Sequence, residues 1–329
     1  MSEEILADLR RGWEDLGLSA GSIEKLARAV RPMVAVIHEP VEDEATIPAG
    51  SSKAGGRPDL PPGAPWPSRL PYPDYAQRVA RLLADAANPA KTWSWASKEQ
   101  RREFQAEAQR RAEVSSAEMP LAFIAQLDLA EVAAVGSLDV DLPRTGVLSL
   151  FYDVLDMPWG FDPGEGQGFR IVYSTGPVER RDLPELLLDP TVAPLLSPQR
   201  CTLAPGLSTI PVGSLEWPGL EISDEDAELL EFDEPEHDQV GGWPTVIQGE
   251  MRTECALVRA GHYCGDAEAY RDPALADVRA TAIEWVLLWQ IASSDDIMWG
   301  DSGYLYVWIR RDDLAAHRFD RAHVVLQCS

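Results

Sequence analysis

The sequence predicts an α+β domain with mixed or antiparallel β-sheets in two similar halves, peripheral helices and a helical insertion. One observation behind this fold class is that short apolar runs rich in β-branched and aromatic residues end at turn residues, as core strands do. The clearest runs are 285–290 (WVLLWQ), 304–309 (YLYVWI) and 324–328 (VVLQC).

A second observation is an order of motifs that occurs twice. In the first half, a GG-x-P segment at 55–58 precedes a strand containing Gln126 and then a glycine-led strand. In the second half, GG-x-P at 241–244 precedes a strand containing Gln290 and another glycine-led strand. Internal repetition of this kind predicts two similar β-rich halves with the two glutamines in equivalent places, as an ancestral duplication would produce.

Helical patterns lie outside these strands. Residues 1–32 predict an N-terminal helical brace of two helices, the second capped by Ser22. Residues 74–114, rich in Arg, Glu, Gln and Ala, predict a helical insertion in which Ser97 and Gln100 form a capping box. We expect residues 1–329 to form a single domain around these parts.

Charge is the strongest bulk property, because 29 basic and 54 acidic side chains leave a net charge of -25. Nucleic acids and anionic membranes attract basic proteins, so neither is expected as a partner. Four cysteines without paired spacing favour a reducing compartment, and the acidic N-terminus does not resemble a signal peptide. The expected location is the cytoplasm, the expected partner is a basic protein, and the oligomeric state stays open.

Motifs for common chemistry are missing. The sequence contains no G-x-S-x-G, Walker or Rossmann glycine motif. The GDSG at 300–303 matches serine proteases over four residues without a supporting His and Asp framework. No catalytic residue can be chosen, no cofactor is expected, and the protein is more readily explained without an enzymatic activity.

Two clusters have metal-ligand chemistry without a known spacing. Cys255, His262 and Cys264 do not fit a structural zinc class. The loop with Asp295, Asp296 and Asp301 does not fit an EF-hand. We therefore expect no metal, although the sequence leaves open whether the aspartate loop binds a cation.

Candidate binding residues fall into two groups. The first group surrounds the repeated motifs and the C-terminal block, where glutamine, tryptophan and acidic side chains cluster: Gln126, His237, Trp243, Gln290, Asp295, Asp296, Trp299 and Asp301. The second is an acidic patch in the densest run of carboxylates: Asp224, Glu225, Asp226, Glu228, Asp233, Glu234 and Glu236. Eleven tryptophans are many for this length, and an exposed cluster would mark a binding cleft, although core packing explains most such residues.

Several segments together resemble the YwqG-like bacterial proteins. The resemblance covers most of the chain and is carried by five segments: GGRPDLPPG with PWP, PLAFIAQLDLAEV, LPRTGVLSLFYD, GGWPTVIQGEM and the block ending in VVLQC. The stretch from Asp74 to Val114 is longer than the family pattern. The resemblance implies a single α+β domain without a recognised active site, and a protective or immunity role through genomic association with secreted toxins.

Two hypotheses of function follow. The first is an acidic, cytoplasmic binding protein, an immunity-type or regulatory partner of a basic protein, because carboxylates steer and capture cationic surfaces. The alternative is an enzyme of unassigned class with a cleft between the two β-rich halves. A deep pocket with a titratable residue and convergent polar groups would favour the enzyme, and an acidic face would favour binding.

Overall fold

The computed structural model describes residues 2–136, 138–230 and 237–329 and has an α+β fold. The strands are β1 (Arg31–Pro40), β2 (Lys53–Ala54), β3 (Asp59–Leu60), β4 (Ser68–Arg69), β5 (Met119–Pro120), β6 (Ala122–Asp128), β7 (Val147–Tyr152), β8 (Phe169–Ser174), β9 (Glu179–Arg180), β10 (Gln199–Ser208), β11 (Asp238–Val240), β12 (Trp285–Ala292), β13 (Tyr304–Arg310) and β14 (His323–Gln327). The helices are α1 (Ser2–Asp15), α2 (Ala20–Ala29), α3 (Tyr75–Ala87), α4 (Pro89–Thr92), α5 (Lys98–Ser115), α6 (Leu129–Val135), α7 (Asp224–Leu229), α8 (Arg252–Arg259), α9 (Glu268–Arg271), α10 (Ala276–Ala280) and α11 (Arg311–Ala315).

One sheet organises the molecule. Ten strands hydrogen-bond in the order β14-β13-β12-β11-β1-β10-β2-β6-β7-β8. Their pairings are antiparallel throughout, and the apolar C-terminal runs form β12, β13 and β14 as the sequence predicts. The longest pairing joins β1 to β10 at the centre, from Arg31 opposite Ser208 to Pro40 opposite Gln199.

The sheet curls until its two end strands face each other. The Phe169 ring on β8 lies 5.8 Å from the His323 ring on β14, and Tyr173 lies 4.9 Å from Phe319, centroid to centroid. The main core fills the inside of this curve with side chains from both ends of the strand order, including Leu150, Leu305 and Val324. Burying apolar surface from both ends of the sheet stabilises the curled form.

Two N-terminal helices pack across the outer face near β10. The helix α2 is capped by Ser19, whose hydroxyl accepts a hydrogen bond from the Ser22 amide. The prediction of Ser22 as the cap was wrong by three residues, because the helix already begins at Ala20. Trp13 and Leu26 then join Trp243 in a separate apolar cluster, which holds these helices against the sheet.

Three helices, α3 to α5, lie between β4 and β5, two strands that pair with each other. The predicted capping box is confirmed. The Ser97 hydroxyl accepts a hydrogen bond from the Gln100 backbone amide, and the Gln100 side chain accepts one from the Ser97 backbone amide. Arg69, on β4, is 1% exposed and anchors this region to Asp153 and Asp156.

None of the helices in the described residues is long and apolar enough to cross a lipid bilayer.

Candidate functional site

A large groove with a volume of about 800 Å³ opens beside the N-terminal helices. Its walls come from α1, from β1 and β10 with the residues that follow β10, and from the end of α7, and most of its lining side chains are apolar. Among them Leu16 is 43% exposed and Leu229 is 37% exposed. Exposed leucines in a concave surface are typical of binding sites rather than of a closed core.

Trp243 and His237, two predicted site residues, both line this groove. The Trp243 indole N–H donates to the Ala29 carbonyl at 2.7 Å, and the Arg31 guanidinium stacks 3.3 Å from its ring centroid. His237 Nε2 lies 2.8 Å from Gln239 Oε1. The structure therefore fixes both rings at the wall of the groove by hydrogen bonds and stacking.

Carboxylates lie in the groove lining and on α7, the helix whose end contributes to that lining. Asp8 and Asp15 on α1 belong to its lining and are exposed. On α7, Asp224, Glu225 and Glu228 are also exposed. The remaining predicted members of the acidic patch, Asp233, Glu234 and Glu236, lie outside the described residues.

Asp226 differs from these exposed neighbours, because it is only 7% exposed. Its carboxylate accepts hydrogen bonds from the Ser19 hydroxyl at 2.8 Å and from the Ser22 hydroxyl at 2.6 Å. These hydrogen bonds, led by that from Ser22, lower the pKa of Asp226 to about 2. Asp226 thus ties α7 to the start of α2 and is unavailable to a partner.

The variant Asp226→Asn is expected to lower the free energy of unfolding by about 1–3 kcal/mol at pH 7, because an amide replaces a charged acceptor. A lowered folded pKa stabilises the protein above the unfolded pKa, and this contribution is lost as the pH falls toward 2. Urea titrations at pH 7 and pH 3.5 should therefore show the difference narrowing in acid. The control is Glu225→Gln, which changes an exposed neighbour. Equal losses of stability in both variants would contradict the role of Asp226 in holding α7 against α2.

The two predicted glutamines occupy matching places. Gln126 on β6 pairs with Lys53 on β2, and Gln290 on β12 pairs with Gln239 on β11. Each paired strand is followed by two glycines with positive φ, at 55–56 and 241–242. In each case the first glycine amide donates back to the strand that carries the glutamine.

The side-chain amides of both glutamines bond backbone groups on either side of the glycines. Gln126 Oε1 accepts from the Asp59 amide at 3.0 Å, and its Nε2 donates to the Ser51 carbonyl at 2.9 Å. Gln290 Oε1 accepts from the Thr245 amide at 2.8 Å, and its Nε2 donates to the His237 carbonyl at 3.1 Å. Both residues are fully buried, so these amides hold backbone in place and do not face a ligand.

A second, smaller pocket of about 130 Å³ opens beside strands from the middle of the sheet order. It is lined by residues of β1, β2, β6, β11 and β12 and by the loops before β10 and β13. His38 and Asp238 lie in its wall, with His38 Nε2 2.8 Å from Asp238 Oδ2. Behind them, the Cys201 Sγ lies 3.7 Å from His38 Nδ1.

The predicted aspartate loop closes one side of this small pocket. Asp296 and Trp299 line the pocket, and Asp296 Oδ2 accepts from the Ser197 amide at 2.7 Å. The Trp299 indole N–H donates to the Ala292 carbonyl at 3.1 Å. The side chains of Asp295 and Asp301 are exposed and are not in the pocket lining. The loop thus contributes two of its four candidates to a concave site.

Sequence reasoning missed His38, Asp238 and Cys201 as a group. They lie on β1, β11 and β10, far apart along the chain, and meet because His38 is opposite Cys201 and Val36 is opposite Asp238. Only the pairing of β1 with both strands brings them together. The strand pattern of residues 33–38 was the one available signal, and it did not indicate its partners.

Within the described ranges 2–136, 138–230 and 237–329, no group of three or more His, Cys, Asp or Glu side chains has metal-binding geometry. All four cysteines are buried free thiols. Cys255 and Cys264 thus pack as small apolar groups in the described structure, in two separate clusters.

Comparison with known proteins assigns most of the chain to one family model. The model described as "Domain of unknown function (DUF1963)" matches residues 52–328. This range includes both GG-x-P segments, both buried glutamines and the small pocket's aspartate loop. The helices α1 and α2 and strand β1 precede it. No curated protein matches the chain.

Proposed function

The chain belongs to the family described as "Domain of unknown function (DUF1963)", and we propose that it is a binding protein for a basic partner. The observation that carries this proposal is the groove of about 800 Å³, whose mostly apolar lining includes the Asp8 and Asp15 carboxylates. A cationic amphipathic segment, with apolar side chains on one face and Lys or Arg on the other, complements both properties.

Apolar contact would supply the affinity. Leu16 and Leu229 face the groove while remaining partly exposed, so burying them against a partner removes apolar surface from water. Trp243 and Met33 lie deeper in the same lining. Aromatic side chains in such a lining are frequent hot spots of binding.

Charge would supply steering and selectivity. Asp8 and Asp15 in the groove lining are exposed, and so are Asp224, Glu225 and Glu228 on α7, the helix whose last residues line the groove. The net charge of -25 extends this negative potential over the molecule and raises the association rate with cations. As an immunity-type or regulatory protein, this chain would thus bind a basic protein, whereas nucleic acids would be repelled.

The test uses the full chain and a synthetic 18-residue Lys/Leu amphipathic peptide as probe, with binding followed by calorimetry. We expect saturable one-to-one binding at low salt that weakens about tenfold or more at 0.5 M NaCl. The charge variant Asp8→Asn/Asp15→Asn/Asp224→Asn and the apolar variant Leu16→Asp/Leu229→Asp should each weaken binding at least about tenfold.

A matched control removes the same number of charges elsewhere. The side chains of Glu99, Glu103 and Asp277 are exposed and lie outside the groove lining. Their Gln and Asn variant should bind the peptide within about twofold of wild type, since only net charge changes. Equal weakening by control and groove variants would show nonspecific attraction, and unchanged binding by both groove variants would refute the proposal.

A second candidate function is an enzyme with its cleft between two β-rich halves. The specific observation in its favour is the pocket of about 130 Å³, which holds His38 and Asp238 with serine hydroxyls nearby. If this pocket is an active site, the groove variants should turn over a small substrate at the wild-type rate. Loss of turnover in the groove variants would instead show that the activity of the small pocket depends on the groove.

Three narrower expectations belong to the same proposal. The matching glycine pairs and glutamine positions support an ancestral duplication. Four free thiols support a reducing, cytoplasmic location. The segments quoted above support placing the chain among YwqG-like bacterial proteins within its family.

A further inference from the structure

We propose that Cys201, His38 and Asp238 form a thiol–imidazole–carboxylate site that reacts covalently with small, uncharged acyl compounds. This site is separate from the groove, so it goes beyond the binding function. His38 and Asp238 line the small pocket, and the Cys201 thiol, which is outside that lining, lies against His38, so a substrate in the pocket would reach the thiol beside the imidazole. A nucleophile, a base within reach of it and a third group that orients the base are the recurring parts of covalent catalysis.

The hydrogen bonds define the direction of proton transfer. His38 Nε2 lies 2.8 Å from Asp238 Oδ2, so a carboxylate there holds the N–H on Nε2. The other nitrogen, Nδ1, then has its lone pair directed at the Cys201 thiol, 3.7 Å away. Asp238 is itself oriented, because its Oδ1 accepts from the Ala292 amide at 2.7 Å.

Rigid strands hold all three groups. His38 and Cys201 are directly opposite on β1 and β10, and Asp238 is opposite Val36 on the other side of β1. Directly opposite residues in an antiparallel pair project to the same face, where their side chains meet. A site built on central strands keeps its geometry better than one on loops.

The environment of the thiol explains why a base is required. Burial, together with the Asp238 and Glu131 carboxylates, raises the pKa of the Cys201 thiol well above its usual range. The group is therefore a neutral thiol at pH 7, and a thiol is a weak nucleophile. It must lose its proton during the attack, and His38 Nδ1 is the acceptor within reach.

Size and charge of the pocket restrict the substrate. A volume of about 130 Å³ admits a small acyl group and little more. Ile124, Leu196 and Ile291 supply apolar walls, while the Asp238 and Asp296 carboxylates disfavour an anion. The Ser294 hydroxyl in the same lining is a hydrogen-bond donor for a carbonyl oxygen.

The reaction is balanced without a cofactor. Sγ attacks the acyl carbon of an ester, its proton moves to His38 Nδ1, and the imidazolium returns that proton to the departing alkoxide. A thioester then joins the acyl group to Cys201. Water attacks this thioester, giving one proton to Nδ1, which passes it to the leaving thiolate. The products are an acid and an alcohol, and the thiol is restored.

The test acetylates the full chain with p-nitrophenyl acetate and follows each cysteine by peptide mass spectrometry. Cys264 and Cys328 are matched controls, because each is 6% exposed and Cys201 is 7% exposed. In the wild type, Cys201 should be acetylated at least about 100-fold faster than either, the size of a general-base effect. Equal rates at the three thiols would overturn the proposal without requiring any variant to fold.

Variants separate catalysis from packing. His38→Gln should slow acetylation of Cys201 about 100-fold and leave Cys264 and Cys328 unchanged, and Asp238→Asn should slow it about tenfold or more. The wild-type rate should level off well below the raised thiol pKa, whereas the His38→Gln rate should keep rising with pH. A variant that accelerates or slows all three cysteines alike would show loosened structure and would refute the assigned roles.

Discussion

Replacing Arg69 by methionine is expected to lower the free energy of unfolding by about 3–5 kcal/mol, the cost of removing one partner from a buried ion pair. The Arg69 and Asp153 side chains are both 0% exposed, and the guanidinium also contacts Asp156 Oδ2 at 2.7 Å. Without the guanidinium, the buried Asp153 carboxylate and the mostly buried Asp156 carboxylate remain close together. Burial and the Asp153 charge already raise the pKa of Asp156.

Urea denaturation of wild type and Arg69→Met at pH 7.5 and pH 5 measures this loss. The deficit should shrink at pH 5, because the unpaired carboxylates can then take up protons instead of staying charged. Arg110→Met is the control, since Arg110 is 39% exposed and pairs with Asp189 at 2.9 Å at the surface. Arg110→Met should lower the free energy of unfolding by less than about 1 kcal/mol. A similarly small decrease for Arg69→Met would contradict the anchoring role of Arg69.

Replacing Gln290 by leucine is expected to lower the free energy of unfolding by about 2–5 kcal/mol, because two backbone groups lose their hydrogen bonds to its buried amide at about 1–3 kcal/mol each. Those groups are the Thr245 amide and the His237 carbonyl, at 2.8 and 3.1 Å. Leucine has nearly the same volume, so a cavity contributes little. The substitution should also make the loops that carry Trp243 and His237 less rigid.

Gln126→Leu should lower the free energy of unfolding by a similar amount, since Gln126 bonds the Asp59 amide and the Ser51 carbonyl in the matching place. The exposed Gln248→Leu is the control and should change stability by less than about 0.5 kcal/mol. Chemical denaturation gives all three values. If Gln290→Leu is no worse than Gln248→Leu, its amide does not hold the loop.

Local patterns in the sequence predicted the elements well but not their neighbours. The runs that became β12, β13 and β14 were recognisable because buried strands are apolar and β-branched over a few residues. The cap of α5 was recognisable because Ser97 and Gln100 are three residues apart. Signals of this kind need no knowledge of the tertiary fold.

The candidate sites depended on long-range pairing. His38 and Cys201 are separated by 163 residues and meet only through the register of β1 with β10. The groove requires α1 and α7 to lie beside the same sheet face, and a hydrophobic pattern does not specify which helices become neighbours. Trp243 was identified as a site candidate from its motif, whereas Gln126 and Gln290 support backbone.

The place of β1 in the sheet has a consequence for how the chain holds together. β1 pairs with β10 and β11, whereas β2, β6, β7 and β8 continue from the far side of β10. Cleavage between β8 and β10 would thus leave two interlocked fragments, each inserting its first strand into the sheet of the other. Neither fragment can complete its sheet alone, so the two should separate only when both unfold, as intertwined subunits do.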